Sequence, residues 1–333
     1  MSGPAEPPTE PQEGDDRPVL VTGGNGQMAL QLLGNMAKQG IAGRAVVRSQ
    51  RAADKVAELP DSQRPEVQIL DYKDTAALTK AASGCRAIVH LVGILKEDAG
   101  TRYVDAHEST CAAVAEAAAT QGVSRIIYLS IYGSRPDSPN ACLASKGRAE
   151  EILHRSKTPS TVLRVPMVIG PDDPASRALR AQATKRWQPL IAGGASFQQP
   201  LDVRDLLRAI VAALADDSQA SHGLDFGGPE ALRHRDLVAK AAALYGNQIR
   251  VLPIPLVAMR VFAALMERSQ KSPPITSAML GVLQHDDRID NSEALQVLGT
   301  ELTPLDETLA RYIGPQTQEP QQLHQPQQLQ LKL

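Results

Sequence analysis

Hydrophobic and polar positions alternate in blocks along the first half of the chain. Short apolar runs at residues 18–22, 45–47, 67–70, 87–92, 125–130 and 161–165 are typical of buried parallel strands. Helical spacing of apolar residues appears between some of them, at residues 28–39, 109–120 and 145–155. A succession of strand, helix and strand implies a parallel sheet with right-handed crossovers. The pattern predicts an α/β fold with a Rossmann-type, doubly wound parallel sheet.

After Pro171 the alternation becomes irregular and predicts a smaller, mixed C-terminal region. Helices are expected at residues 206–214 and 235–245, and a short strand at residues 223–226. The segment 256–266, from Leu256 to Met266, is strongly apolar and has two interpretations. It packs in the core, or it forms an exposed apolar face that docks on a membrane or a membrane subunit.

Composition changes at both ends of the chain. Residues 1–17 are rich in proline and acids, and eight of the nineteen residues 315–333 are glutamine. Such segments bury too little apolar surface to offset their ordering entropy, so both are predicted to be disordered tails. Between them we expect a dinucleotide-binding region at residues 18–170 and a C-terminal α/β region at residues 171–314 packed on it.

The overall composition excludes several classes of function. The chain has 35 basic and 37 acidic residues and only 3% aromatics, which is unfavourable for binding a nucleic-acid backbone or stacking bases. Its three cysteines, Cys85, Cys111 and Cys142, have no CxxC spacing, and the histidines have no ligand spacing, so neither a disulfide framework nor a metal site is expected. No run of eighteen apolar residues occurs, so no membrane-spanning helix is expected. The proline-rich, acidic N-terminus is expected to be neither a secretory signal nor a mitochondrial presequence. We expect a bacterial cytoplasmic protein, either free or peripheral on the inner membrane.

A glycine-rich turn is the first chemical signal. Gly23 and Gly26 lie three residues apart between the first strand and the first helix, with Ala29 at the third small position. Small residues there allow a tight turn, the approach of a pyrophosphate to the backbone and close helix packing. The turn therefore predicts dinucleotide binding, with a plain structural turn as the alternative.

The end of the second strand indicates which dinucleotide is bound. An acid is expected there for the adenosine ribose of NAD(H), but the sequence has Arg48, followed by Ser49 and Arg51. A guanidinium group pairs well with a phosphate, so NADP(H) is preferred over NAD(H). The alternative is a solvated arginine at a strand end.

Several motifs together resemble a known superfamily. They are TGGNGQMA at residues 22–29, Arg48, Asp71 and LRVPMVIGP at residues 163–171. These look like an extended or atypical short-chain dehydrogenase/reductase. QPLDVRDL at residues 199–206, LPIPL at 252–256 and LGTELTPL at 298–305 are similar to the NADPH-binding accessory subunit family of respiratory complex I and its bacterial relatives.

The resemblance implies a catalytic tyrosine four residues before a lysine, and here Cys142 precedes Lys146. A thiol is too short to replace a phenol in the proton relay. His107 stands where extended members place an asparagine, and Tyr132 falls where their serine is expected, although Ser130 is close by. Tyr132 and Lys146 remain weak catalytic candidates. Cys142 is either an inert buried cysteine or a thiolate favoured by Lys146.

The cofactor-binding residues implied by the resemblance form three groups. The first group, which would bind the pyrophosphate, comprises Gly23, Gly24, Asn25, Gly26, Gln27 and Met28. Arg48 would contact the 2′-phosphate and Asp71 the adenine. Val92 and Gly93 would line the nicotinamide, and Lys146 would hold its ribose. His90, at the end of the fourth strand, is either catalytic or a structural core histidine.

The implied function is binding without catalysis, in support of a respiratory NADH:quinone oxidoreductase. The alternative is an active NAD(P)-dependent oxidoreductase, or a sugar-nucleotide epimerase or dehydratase, working through an unorthodox acid. Related proteins also act near the biosynthesis of isoprenoid quinones. Whether the chain is an enzyme stays open at this stage.

Overall fold

The computed structural model describes residues 15–98, 100–270 and 272–315. The predicted tails at 1–17 and 315–333 lie outside the described residues, apart from residues 15–17 and Pro315.

The strands of the described chain form one large sheet and three small ones. In chain order they are β1 Val19–Thr22, β2 Gly43–Val47, β3 Glu66–Ile69, β4 Ala87–His90, β5 Arg125–Ile131, β6 Ser160–Val165, β7 Val168–Ile169, β8 Trp187–Ile191, β9 Phe197–Gln198, β10 Leu201–Asp202, β11 His222–Asp225, β12 Leu232–Arg233 and β13 Arg250–Ile254. The large sheet is parallel throughout, with seven strands in the order β11-β6-β5-β4-β1-β2-β3. This arrangement confirms the predicted Rossmann-type fold.

The helices cover both faces of that sheet and build most of the C-terminal region. They are α1 Gln27–Lys38, α2 Gln50–Ala57, α3 Thr75–Ala82, α4 Thr110–Gln121, α5 Ala141–His154, α6 Pro174–Ala183, α7 Val203–Leu214, α8 His234–Ala243, α9 Leu256–Ser269, α10 Ser277–Leu283, α11 Ser292–Leu298 and α12 Leu305–Tyr312. A π-helical turn at Val104–Ser109 leads into α4.

The core has an aliphatic layer on each face of the sheet. One layer packs α1, α2, α7 and α11 against the strands, and the other packs α3, α4 and α5. Alanines dominate the buried side of α4, and their small size lets this helix lie close to the sheet. A third cluster joins α6, α8 and α12 within the C-terminal region.

Two buried carboxylates at the start of α7 fasten the last segment of the described chain. Asp205 accepts hydrogen bonds from the backbone nitrogen and hydroxyl of Thr303, at 2.7 and 2.6 Å. Asp202 accepts one from the hydroxyl of Thr308 at 2.8 Å. Both acids belong to the motif at residues 199–206, so that motif ties the end of the C-terminal region to the β10–α7 junction.

Candidate dinucleotide site

The glycine-rich turn connects β1 to α1 at the carboxyl end of the sheet. Gly23 has a φ of +73°, a left-handed conformation that favours glycine. A Cβ on Gly24 would lie 2.9 Å from the Cβ of Ala45, which is too close for any side chain. The nitrogen of Gly26 donates to the carbonyl oxygen of Gly23 at 2.8 Å and closes the turn. The geometry of the turn itself therefore requires glycine at positions 23 and 24.

The first turn of α1 presents backbone amides without a side-chain cap. Gly26 is the N-cap residue and is extended, with φ −68° and ψ 151°, and no side chain of the described residues caps this end. The first amides of a helix have no partner within the helix, and the helix dipole favours an anion there. Gln27 and Met28 occupy these positions, so the turn fits a pyrophosphate group.

The carboxyl ends of β1 and β4 lie side by side, since Thr22 pairs with His90 across the parallel ladder. Strand order reverses at this point, which is where doubly wound sheets bind dinucleotides. Val92 follows β4 and faces the glycine turn, because its Cγ2 would be 3.5 Å from a Cβ on Gly23. The structure thus brings the predicted pyrophosphate residues and Val92 together.

Arg48 lies directly after β2 and is exposed. Its guanidinium carbon is 5.7 Å from the centre of the Tyr72 ring, whose hydroxyl donates to the carbonyl of Val46 at 3.3 Å. Among the described residues Arg48 has no carboxylate partner, so its charge is uncompensated. Ser49 is instead the N-cap of α2 and accepts from the nitrogen of Ala52.

Asp71 is exposed two residues after the end of β3. One of its carboxylate oxygens accepts a hydrogen bond from the nitrogen of Lys73 at 3.0 Å. Tyr72 was not predicted as a site residue; it lies between Asp71 and this lysine in the chain. Its position directly after Asp71, in a chain with only six tyrosines, was the signal available.

Lys146 and Gly93 meet at the other end of the site. The Nζ of Lys146 donates to the carbonyl of Leu129 at 2.8 Å and lies 4.4 Å from the centre of the Tyr128 ring. A Cβ on Gly93 would come within 3.0 Å of that Nζ. The lysine is buried, and desolvation lowers its pKa from 10.5.

Cys142 is fully buried one helical turn before Lys146 on α5. Its Sγ lies 3.5 Å from the carbonyl oxygen of Ile94, to which the thiol donates. Burial raises the pKa of this thiol to about 11, and the opposing charge of Lys146 is the smaller effect. The buried, hydrogen-bonded thiol therefore favours the interpretation of Cys142 as an inert, neutral cysteine over that of a thiolate.

His107 lies in the π-helical turn before α4 and is fully buried. Its Nε2 accepts a hydrogen bond from the nitrogen of Ile94 at 3.1 Å, which places the proton of the neutral ring on Nδ1. Burial lowers its pKa to about 3. His107 thus holds the backbone loop that covers Cys142.

His90 is also buried, between two threonines. Its Nδ1 is 2.7 Å from the hydroxyl oxygen of Thr22 and its Nε2 is 3.1 Å from that of Thr110, and burial lowers its pKa to about 3. Both ring nitrogens are engaged, so the structure favours the structural interpretation of His90 over the catalytic one.

Tyr132 and Ser130 are engaged away from Lys146. The hydroxyl of Tyr132 donates to the carbonyl of Arg288 at 3.2 Å, and its ring lies edge-on to His285. Ser130 donates to the buried carboxylate of Glu150. The network of hydrogen bonds in the described chain therefore does not join either hydroxyl to the lysine.

Helix α9 corrects the interpretation of residues 256–266 as core. Of its residues only Ala263 is buried, whereas Val257 is 70% and Leu265 57% exposed. Val261 and Phe262 are also exposed. No helix in the described parts of the chain is both long and apolar enough to cross a membrane.

Comparison with known proteins identifies the family. Residues 23–190, just over half of the chain, match the NAD(P)H-binding family. The chain belongs to this family. Its membership confirms the prediction of a NAD(P)-binding domain.

Two relatives extend the comparison. One is subunit 9 of the 1 alpha subcomplex of mitochondrial NADH dehydrogenase (ubiquinone) from Arabidopsis thaliana, 27% identical over 200 residues, or 58% of this chain and 49% of that one. The other is the mitochondrial 40 kDa subunit of NADH-ubiquinone oxidoreductase from Neurospora crassa, 21% identical over 284 residues, or 85% and 75% of the chains. The match therefore spans about half of the Arabidopsis protein and three quarters of the Neurospora protein. The predicted relationship to the accessory subunit family is confirmed.

A solved structure shares the fold. The nucleoside-diphosphate-sugar epimerase of Staphylococcus aureus superposes with a TM-score of 0.68 at 18% identity, covering 88% of this chain and 99% of that one. At this identity the likeness shows a common fold and nothing about substrate.

Proposed function

We propose that this chain binds NADP(H) in preference to NAD(H), holds it without turnover, and supports a membrane-bound respiratory NADH:quinone oxidoreductase. The burial of Cys142 beneath the carbonyl of Ile94, at the position of the expected tyrosine, carries the proposal of lost catalysis. The geometry of the glycine turn and the guanidinium of Arg48, unpaired in the described part of the chain, support the binding part of the proposal.

The pyrophosphate binds at Gly23, Gly24, Asn25 and Gly26, with the first amides of α1 at Gln27 and Met28. These groups supply backbone N–H donors and the positive end of a twelve-residue helix. When bound, the dinucleotide supplies the capacity for hydride transfer. The chain's own residues position it.

The preference for NADP(H) rests on Arg48. Its guanidinium is exposed, has no carboxylate partner among the described residues, and lies over Tyr72. A 2′-phosphate would neutralise it in bidentate fashion, and the adenine would lie near Tyr72 and Asp71. This is the stacking and pairing geometry for which arginine is better suited than lysine.

At the nicotinamide end, Val92 and Gly93 form the wall and Lys146 holds the ribose hydroxyls. Gly93 leaves room beside the lysine Nζ, since a Cβ there would be 3.0 Å from it. Lys146 is a positioning group here. The hydroxyls of Tyr132 and Ser130 do not accompany it, because they donate to Arg288 and Glu150.

The preference is tested by titrating NADPH and NADH into Arg48→Ala, with Arg51→Ala as the matched control. Both arginines are exposed and three residues apart. We expect Arg48→Ala to lose roughly tenfold or more in NADPH affinity, the loss of one charge-assisted contact, with little change for NADH. An equal loss for both dinucleotides, or an equal loss in Arg51→Ala, would contradict the preference.

The absence of turnover is tested by following NADPH oxidation with a quinone or a sugar nucleotide. We expect none above the protein-free rate. Turnover that is lost in Tyr132→Phe would instead establish the active-enzyme alternative, in which Tyr132 leaves Arg288 and serves as the acid.

The proposed partner is suggested by the relatives and by α9. The Arabidopsis and Neurospora relatives are named as subunits of mitochondrial NADH:ubiquinone oxidoreductases. Helix α9 exposes Val257, Val261, Phe262 and Leu265 together, and an apolar patch of this kind marks a protein or membrane contact. We place the protein in the bacterial cytoplasm, peripheral on the inner membrane.

This contact is tested by flotation of the full chain with membranes of a bacterium that contains the respiratory complex. Val261→Glu places a charge on the apolar face and should reduce the membrane-bound fraction at least fivefold. The exposed Glu116 of α4 offers a control, Glu116→Gln, which should leave binding unchanged. Membrane binding that Val261→Glu leaves intact would refute the assignment to α9.

A further inference from the structure

Helix α9 has charged residues on one face and exposed apolar residues on another. The positions Leu256, Arg260 and Glu267 repeat at intervals of four and seven residues, so they share one face of the helix, and all three line a cavity. The exposed apolar residues Val261 and Leu265 lie on the opposite face. Arg260 and Glu267 are exposed, and with Leu256 they form one wall of the cavity.

The cavity has a volume of about 970 Å³, at the upper end of the range for small-molecule sites. It lies between α9, α10, the loop after β4 and the first turn of α5. Apolar side chains from all of these except the loop line it: Pro139, Ala141, Leu256, Pro273, Ala278 and Leu280. The cavity therefore has room for a ligand with an apolar chain, beside polar and charged side chains of the same wall.

The charged groups of the wall are largely matched with each other or with the backbone. Glu97 accepts from Arg102 at 3.3 Å and from the nitrogen of Tyr103 at 2.7 Å. Glu267 accepts from the nitrogen and hydroxyl of Ser277, at 2.7 and 3.0 Å. In the described chain Arg260 has neither a hydrogen-bond nor an ion-pair partner, and it is a donor that a ligand oxygen can use.

The net charge of the lining argues against an anion. It contains three carboxylates, Glu97, Asp98 and Glu267, and two guanidinium groups, so its formal charge is −1. A phosphate or carboxylate ligand would gain no net attraction there. A neutral head with hydroxyl or carbonyl oxygens can still accept hydrogen bonds from Arg260.

We infer that this cavity binds a neutral amphiphile, with a long aliphatic or isoprenoid chain on the apolar wall and an uncharged oxygen-bearing head near Arg260. None of the residues proposed to hold the dinucleotide lines this cavity. Ala141 begins α5 and Lys146 lies five residues further, about 7.5 Å along the helix axis at 1.5 Å per residue. The inference does not depend on which dinucleotide binds or on whether turnover occurs.

The test is calorimetric titration of the full chain with monododecanoylglycerol and with dodecanoate, which share a chain length and differ in head charge. Both are used below their critical micelle concentrations. We expect one monododecanoylglycerol per chain and at least tenfold weaker binding of dodecanoate. No binding of the neutral probe, or equal binding of the two, would overturn the inference.

Two variants locate the binding site. Ala278→Phe fills the cavity and should weaken binding of the neutral probe at least tenfold, whereas Ala243→Phe, at an exposed position on α8, should not. If Ala278→Phe fails to fold by circular dichroism, Ala141→Leu fills the same space from α5. Val261→Glu on the outer face should keep the 1:1 binding. Loss of binding in Val261→Glu alone would place the amphiphile on the outside of α9 and refute the cavity site.

An NADPH titration of the same samples separates this inference from the proposed function. Ala278→Phe should bind NADPH with unchanged affinity, since no residue of the glycine turn lines the cavity. Failure of the amphiphile to bind a protein that still binds NADPH contradicts only the inference made here.

Discussion

The glycine turn and the surroundings of Cys142 lie at two ends of one site and differ in accessibility. At the turn, backbone amides of α1 are uncapped by side chains and Gly26 is exposed. Around Cys142, the loop after β4 covers the thiol, and His107 holds that loop through Ile94. This difference in accessibility is the basis of our proposal that the chain binds a dinucleotide without using it.

We expect the largest change in dinucleotide affinity from a substitution in the glycine turn. Gly26→Val adds a branched side chain where a pyrophosphate approaches, at a φ of −68° that valine tolerates. We expect roughly a 100-fold loss of NADPH affinity, the equivalent of about 2.7 kcal/mol, because two or more backbone contacts are lost. Calorimetric titration measures it. An unchanged affinity would mean that the turn does not bind the dinucleotide.

Substituting tyrosine for Cys142 tests whether the region around this residue is closed. In Cys142→Tyr the added aromatic ring must displace the loop that contains Ile94. Overpacking of this kind lowers the free energy of unfolding by about 1–3 kcal/mol. We expect a lower free energy of unfolding in urea and no gain of NADPH oxidation. A variant that gained turnover at unchanged stability would show that the region is open and lacks only the phenol.

The buried histidines predict that stability falls in acid. The pKa of His90 is lowered to about 3 in the folded protein, below its ordinary 6.5, so the unfolded chain binds the proton first. Its stabilising contribution is complete above pH 6.5 and is lost as the pH falls from 6.5 toward 3. Between pH 7 and pH 5 the loss is about 2 kcal/mol for this residue.

Urea unfolding of His90→Gln isolates the effect. The variant should be less stable than the wild type at pH 7, and the gap should narrow by about that amount at pH 5. The same reasoning applies to His107, whose pKa is lowered equally. Parallel pH profiles for variant and wild type would show that the histidine is accessible to solvent, contrary to the closed arrangement.

We expect the smallest effect from a substitution of Lys146, which tests dinucleotide binding and burial together. Its folded pKa is lowered by desolvation, so its charge costs stability at neutral pH, and the cost is relieved as the pH rises from that lowered value toward 10.5. Lys146→Met should be at least as stable as the wild type at pH 7 and should bind NADPH several-fold more weakly, the loss of about 1 kcal/mol. Weaker stability with unchanged NADPH affinity would make Lys146 purely structural.

Much of the fold could be predicted because hydrophobic pattern and glycine position are local signals. The six strands of the first half lie within a few residues of their predicted places. Helix α5 starts at Ala141 and not at residue 145, because Asn140 caps it through the nitrogens of Cys142 and Leu143. The short helices α2 and α3 were missed, although Ser49 and Asp74 are capping residues at their starts.

The site was predictable only where its chemistry depends on residues that are close together in the sequence. The glycine turn and Arg48 could be identified from adjacent residues. The covering of Cys142 depends on Ile94, 48 residues earlier, and the binding of Tyr132 depends on Arg288, 156 residues later. The exposure of α9 also depends on packing, because the same apolar sequence is compatible with a core helix.

Identification of the nucleotide carried by the purified protein tests the central claim most directly. The protein is denatured, and the released small molecules are identified by mass spectrometry, alongside melting temperatures with added NADPH and NADH. We expect NADP(H) to be released, and NADPH to raise the melting temperature more than NADH does. Release of no dinucleotide, together with no shift from either one, would contradict the claim that this chain kept its dinucleotide site.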